Sequence, residues 1–277
     1  MKRGQISIVT GASSGLGRSI AKLLCKKEQI VYVVARSKDK LIDLQKECSK
    51  DKGKIKIISG DLTDKNFRQK LISNVIKESK KIDYLINNAG FGKLESFEKE
   101  TLEDIEAMYN LNSIATEHLT QLALPYMKKK KAGRIINVAS VVALSPPVYF
   151  TTYNATKYAI YGFSKTLSYE LKNTGVSISV VFPSRMKTPF WEVAFKCKGL
   201  EGNDQKICKD KWTQNTKGPE KVAKYIVKNL DKKKFYFLPD SLSKISYYFL
   251  RHFHFIGNFY MKNIMLPSTK KMFKKSK

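Results

Sequence analysis

Acidic side chains are scarce in this chain: 24 Asp and Glu stand against 52 Lys and Arg, a formal net charge of +28. Such an imbalance makes a positive field that attracts anionic lipid, nucleic acid or acidic ligands. The excess is lysine spread along the whole length, the pattern of solvated helix faces. No helix-turn-helix signature, zinc finger or aromatic-interleaved RNA motif accompanies it, so specific nucleic-acid binding is not expected. Cysteine and histidine are sparse too. Cys25, Cys48, Cys197 and Cys208 contain no C-x-x-C pair and no His cluster joins them. Neither a metal site nor a disulfide framework is expected, and a reduced, cytoplasmic setting fits. The start, Met1 to Thr10, passes from basic residues through a short apolar run straight into a glycine-rich turn. That is a first strand, too short for a signal peptide or a spanning helix.

With 277 residues, 42% hydrophobic and 27% charged, the chain is globular and long enough for one large α/β domain with a buried sheet. The expected division is a domain over residues 1–240 and an appendage over 241–277. Gln5 to Thr10, Ile30 to Ala35, Lys54 to Ser59, Ile82 to Ile86, Arg134 to Ser140, Val176 to Phe182 and Phe235 to Leu238 read as seven strands with helices between them. Alternating strands and helices predict a Rossmann-like, doubly wound, mostly parallel sheet with helices on both faces.

The first strand leads into Thr10-Gly11-Ala12-Ser13-Ser14-Gly15-Leu16-Gly17. Glycines at this spacing let the backbone turn tightly and approach a pyrophosphate, met by the N-terminus of a helix over Arg18 to Lys27. At the end of the second strand an acidic side chain would hold the ribose hydroxyls of NAD. This chain has Ala35, Arg36 and Ser37 there, which suits a 2′-phosphate and favours NADP over NAD. Asp61, followed by Leu62, is placed to accept from an adenine amino group, or to cap the next helix in competition with Thr63 and Asp64. Asn87-Asn88-Ala89-Gly90 ends the fourth strand, where small residues allow close approach and amides tie strands together. In the long helix expected over Leu102 to Lys129, Thr101 is the cap and Pro125 kinks or ends the regular part.

Ser140 closes the fifth strand, and a helix carrying Tyr153 and Lys157 runs to about Lys172. Tyr and Lys four apart share one helix face, so the ammonium can lower the phenol's pKa toward neutral acid/base work. Pro183-Ser-Arg-Met-Lys-Thr188 follows the sixth strand at the edge where ligands bind such sheets. Residues 189–217, with Phe190, Trp191, Phe195 and Trp212, read as a lid over an apolar ligand or as aromatics packed on the body. The appendage is dense in aromatic residues and ends in lysines. It reads either as a segment lying on an anionic membrane or as a cover over the pocket or a dimer contact.

These motifs, in this order, resemble the classical short-chain dehydrogenase/reductase family over roughly residues 5 to 240. The resemblance implies catalytic Asn112, Ser140, Tyr153 and Lys157, Asn112 being favoured over Asn110 by its distance from Pro125. It implies nicotinamide binding by the glycine turn, by Asn88, Ala89 and Gly90, by Tyr153 and Lys157, and by Pro183 and Thr188. Ser184 stands where the family has glycine. The implied reaction is hydride transfer between NADPH and a ketone or aldehyde, or the reverse oxidation of the alcohol. Tyr153 would exchange the proton, Ser140 hold the oxygen, Lys157 bind the ribose, and Asn112 order a water. The aromatic ending points to a hydrophobic substrate. A homodimer or homotetramer through the two long helices is implied as well. The competing readings are a catalytically idle NADP-binding sensor or scaffold and a membrane-surface protein.

Overall fold

The computed structural model describes residues 3–195 and 216–250, with the isolated positions 255, 259, 262, 263 and 267. Residues 196–215 of the expected lid over 189–217, with Cys197, Cys208 and Trp212, and most of the appendage beyond 250 lie outside the described residues.

Seven strands form one sheet: β1 (Ile6–Thr10), β2 (Ile30–Ala35), β3 (Lys54–Ser59), β4 (Tyr84–Asn87), β5 (Gly133–Val138), β6 (Val176–Val181) and β7 (Tyr236–Phe237). The order is β3-β2-β1-β4-β5-β6-β7 and every pairing is parallel. Such strands are buried on both faces and alternate between two cores. From β2, Val31 and Val33 enter the core under α1 (Gly15–Lys26), α2 (Lys38–Glu47) and α8 (Glu220–Asn229). Tyr32 and Val34 enter the opposite core, under α3 (Lys65–Ser79), α5 (Ala115–Lys129) and α6 (Thr151–Glu170). The strand order reverses between β1 and β4, which opens a crevice beyond their C-terminal ends.

The long helix differs from expectation. It consists of α4 (Leu102–Met108), a π-helical segment Tyr109–Ile114 and α5, which continues through Pro125 to Lys129. Pro125 and Gln121 are both exposed, so water can meet the carbonyl left without its N–H partner. The irregularity falls instead where Asn112 turns inward, because each π turn takes up more residues than an α turn. Thr101 caps α4 as expected, accepting from Asp104 N. Short helices among the described residues include α7 (Phe190–Ala194) and α9 (Ser241–Ile245), the latter followed by a second π turn, Ser246–Leu250. No helix among the described residues is long and apolar enough to cross a membrane.

Candidate active site

The crevice holds a cavity of about 1260 Å³. One end is built on the β1–α1 turn. Gly15 has φ +53°, a left-handed conformation that glycine adopts without strain. At Gly17 a Cβ would lie 2.4 Å from the Gly11 carbonyl oxygen, so only glycine lets α1 start this close to the turn. Ser14 precedes α1 without a side-chain cap, and the first turn has no acidic residue. The free N–H groups and positive end of the helix are therefore left for an anion.

Thr10 and Asn88 lock this turn to β4. The Thr10 hydroxyl accepts from Asn88 N (2.9 Å) and Ala89 N (3.0 Å), and Asn88 Nδ2 donates to the Thr10 carbonyl (3.0 Å). Asn87 donates to Asn137 Oδ1 (2.9 Å), whose own amide donates to the Ser164 hydroxyl (2.9 Å), joining β4, β5 and α6. Thr10 and Gly17 shape the cradle from just behind the residues that line the cavity.

At the β2 end the cavity is lined by Ala35, Arg36, Ser37 and Lys40, and by Asp61, Leu62 and Thr63. Asp64, not Asp61, caps α3. Burial works to raise the Asp61 carboxyl, but bonds from Thr63 N and hydroxyl (each 2.8 Å) and the Arg36 guanidinium 3.9 Å away hold it below its ordinary value. This loop is gripped from behind by Arg68, a residue the sequence did not single out. Its guanidinium donates to the Leu62 and Thr63 carbonyls and, through Nε, to His118 Nδ1 on α5 (2.8 Å). Burial, with Arg68 and Lys65 nearby, keeps the imidazole neutral and able to accept.

Ser140, Tyr153 and Lys157 meet deeper in the cavity. Ser140 extends β5 and hydrogen-bonds the Tyr153 phenol. Rings of Phe150 and Phe190 stand 5.6 and 5.4 Å from Tyr153. Lys157 Nζ donates to the Val138 carbonyl (3.0 Å) and lies 5.7 Å from the centre of the tyrosine ring. Burial pushes the phenol up, against the Ser140 bond, and lowers Lys157 to about 8. In this structure burial, rather than the ammonium, sets the direction of the phenol's shift, and that direction is upward.

Asn112 is buried and Asn110 exposed. The Asn112 side chain accepts from Phe91 N (3.0 Å) and donates to the Phe91 carbonyl (2.9 Å) and Thr156 hydroxyl (3.0 Å). It braces the segment after Gly90 against the helix of Lys157 and lies behind the cavity wall rather than in it. Of the expected residues, the cavity gathers Gly11, Ser13, Ser14, Gly15, Leu16, Arg36, Ser37, Asp61, Leu62, Asn88, Ala89, Gly90, Ser140, Tyr153, Lys157, Pro183 and Thr188. Ser184 N, the departure from glycine, donates to Asp240 Oδ2 (3.1 Å), and Asp240 caps α9. The start of the appendage is thereby tied to the cavity, which Leu242 and Ser246 help line. The far wall is apolar: Val141, Val142, Pro147, Phe150, Trp191 and Val193.

Residues 5–198 match the short chain dehydrogenase family. The chain belongs to that family. Among its relatives, mouse 3-ketodihydrosphingosine reductase is 32% identical over 234 residues, covering 80% of this chain and 67% of the relative. A short-chain dehydrogenase/reductase from Burkholderia phymatum, solved with NAD, superposes with TM-score 0.79 at 20% identity, covering 96% of this chain and 95% of the other. One from Sphingobium yanoikuyae, solved with NADPH, gives TM-score 0.76 at 23% identity, with 94% and 96% covered. As a short-chain dehydrogenase the protein is an oxidoreductase of alcohol and carbonyl groups.

Elsewhere, Cys25, Cys48 and Asp51 bring their ligand atoms within 4.8 Å of one another. Burial, with Cys48 and Asp51 adding, pushes the Cys25 thiol up to about 12.

Proposed function

We propose that this dehydrogenase is an NADP(H)-dependent reductase of lipophilic ketones or aldehydes. The observation that carries the reading is the meeting of Ser140, Tyr153 and Lys157 at the point where the polar cradle gives way to an apolar wall. The cradle fits the dinucleotide: an uncapped helix N-terminus for the pyrophosphate and, at the ribose end, Arg36, Ser37 and Lys40 for a 2′-phosphate. Lys40 stands one helical turn beyond Arg36 and Ser37. Arg18, by contrast, is committed to the Lys40 carbonyl and Glu47, each at 2.8 Å.

When bound, the nicotinamide supplies or takes up the hydride at the carbon bearing the oxygen. Ser140 Oγ holds the carbonyl oxygen, and Tyr153 Oη delivers a proton to that oxygen as negative charge grows on it. A phenol held protonated at neutral pH suits the reducing direction. Lys157 keeps an ammonium beside the ring, and Asn112 fixes the Phe91 segment and Thr156 on either side of it. The apolar wall excludes water and selects hydrocarbon. The mouse relative, by its name a reductase of a keto compound, supports the same reaction. By family resemblance the enzyme is a homo-oligomer paired through its long helices.

Titrating the enzyme with NADPH and NADH by fluorescence, then following oxidation against aliphatic ketones, 3-oxoacyl thioesters and quinones, tests this reading. Tighter NADPH binding with turnover on a hydrophobic class is expected. Tight binding with no turnover on any class would instead make the protein an NADP-binding sensor.

A further inference from the structure

The apolar wall does not end inside the protein. Val193 and Leu242 line the cavity and are also 45% and 43% exposed, so hydrocarbon surface runs from the interior out over the mouth. It continues along the appendage on Ile245 (54% exposed) and Tyr248 (64% exposed), spaced three residues apart from Leu242 onward. Phe255 and Phe259 are exposed as well. Exposed cations lie on the same segments: Lys244 on α9, Lys187 and Lys217, whose backbones are hydrogen-bonded (3.0 Å), and Arg185 in the cavity wall. Against them stands Glu192, also exposed at the cavity.

We infer that this rim docks the enzyme on an anionic lipid bilayer and lets a lipophilic substrate pass from the bilayer into the cavity. The substrate half of this rests on the reductase reading above; the docking half does not.

Charge decides between the two apolar occupants the rim could take. A second copy seated on the rim would bring the exposed Lys187, Lys217 and Lys244 against their own counterparts and seal the mouth of each cavity. An anionic bilayer attracts the same cations, accepts Ile245 and Tyr248 at the level of its headgroups, and leaves the mouth facing hydrocarbon. Asp240 makes the device coherent: one of its carboxylate oxygens caps α9, which carries the rim, and the other holds Ser184 N at the cavity.

Flotation of the full-length protein with vesicles of phosphatidylcholine alone, or mixed with phosphatidylserine, tests the docking without any turnover. The wild type is expected to float with the mixed vesicles, far less with the neutral ones, and to be released by raised salt. The double variant Ile245→Glu, Tyr248→Glu changes only exposed side chains outside the catalytic set. It is expected to bind mixed vesicles about tenfold more weakly, with its melting temperature and its turnover of a short water-soluble ketone unchanged. Its turnover of a ketone dissolved in the vesicles should fall in parallel with binding. Wild type that stays at the bottom of the gradient, or a double variant that floats as well as wild type, would overturn the docking. So would a double variant whose only change is a smaller mass by light scattering, since the rim would then be a contact between copies. Flotation without reduction of any carbonyl would leave docking standing and defeat the reductase reading; reduction without flotation would do the opposite.

Discussion

Lys157 carries an ionisable amine into a buried place at the cavity wall, where its Nζ donates to the Val138 carbonyl. A lysine whose folded-state pKa is lowered costs stability while the unfolded chain keeps its proton more readily. The cost is fully present below about 8 and disappears as pH rises toward the ordinary 10.5. Replacing it by methionine is therefore expected to raise stability by about 3 kcal/mol at neutral pH, with no gain left above pH 10.5, while abolishing turnover. Thermal melts of both proteins across that range check the sign. For Tyr153→Phe the expectation is a loss of turnover of about a hundredfold or more with NADPH affinity kept, because the ring packing survives and the proton does not. Steady-state kinetics beside fluorescence titration separates the two. Tyr153, Lys157 and Ser140 were readable in the sequence because their chemistry is encoded in short spacings. The burial that shifts their protonation was not, since it depends on Phe150, Phe190 and other neighbours distant in sequence.

Individual elements show the same division. The glycine turn and the seven strands could be read because buried parallel strands are apolar runs between punctuating turns. The π segment could not: nothing local distinguishes Tyr109–Ile114 from α-helix, and the visible breaker, Pro125, sits harmlessly on the solvent side. Arg68 was equally hidden, a basic residue in a lysine-rich helix whose role exists only once the loop over 61–63 and α5 arrive beside it. Arg68→Met is expected to raise the KM for the dinucleotide about tenfold with kcat little changed, whereas Arg68→Lys restores part of it. Arg134 presents a harder test of the sheet. It is buried, and burial lowers it to about 10 against the pull of Tyr84 and Asp231. It donates to the Leu230 carbonyl (2.7 Å), the Ser177 and Ser179 hydroxyls (2.7 and 2.8 Å) and the Lys232 carbonyl (2.6 Å). Losing those bonds leaves several buried acceptors unmatched. Arg134→Ala is expected to cost about 3 kcal/mol in denaturant melts, and lysine, a point charge, should not rescue it.

Across the whole molecule, the exposed Leu102, Tyr109, Ile114, Tyr126, Tyr158 and Tyr169 all lie on the run from α4 to α5 and on α6. Those helices are the ones the proposed oligomer would pair, and their apolar exposure supplies the surface. Light scattering of an Ile114→Glu, Tyr158→Glu double variant is expected to show a smaller assembly than wild type; an unchanged mass would move the contact elsewhere. The appendage was the least legible part, because an aromatic, basic stretch is compatible with a cover, a contact or a membrane. It took Asp240 and Ser184 to show where its first turn sits.

The bonds of Arg134 also set an order on how the molecule comes into being. Its carbonyl partners lie 96 and 98 residues downstream, so a chain emerging from the ribosome carries this guanidinium for a long interval before they exist. The bonds of the glycine turn and the Asn88 clasp reach no further than Ala89, so that part of the dinucleotide cradle can form early, before His118 and α8 arrive to back the rest. The sheet closes only when Leu230 and Lys232 arrive. Release of a nascent chain stopped before them should yield a protease-sensitive intermediate, and completion of the last strand should act as the latch.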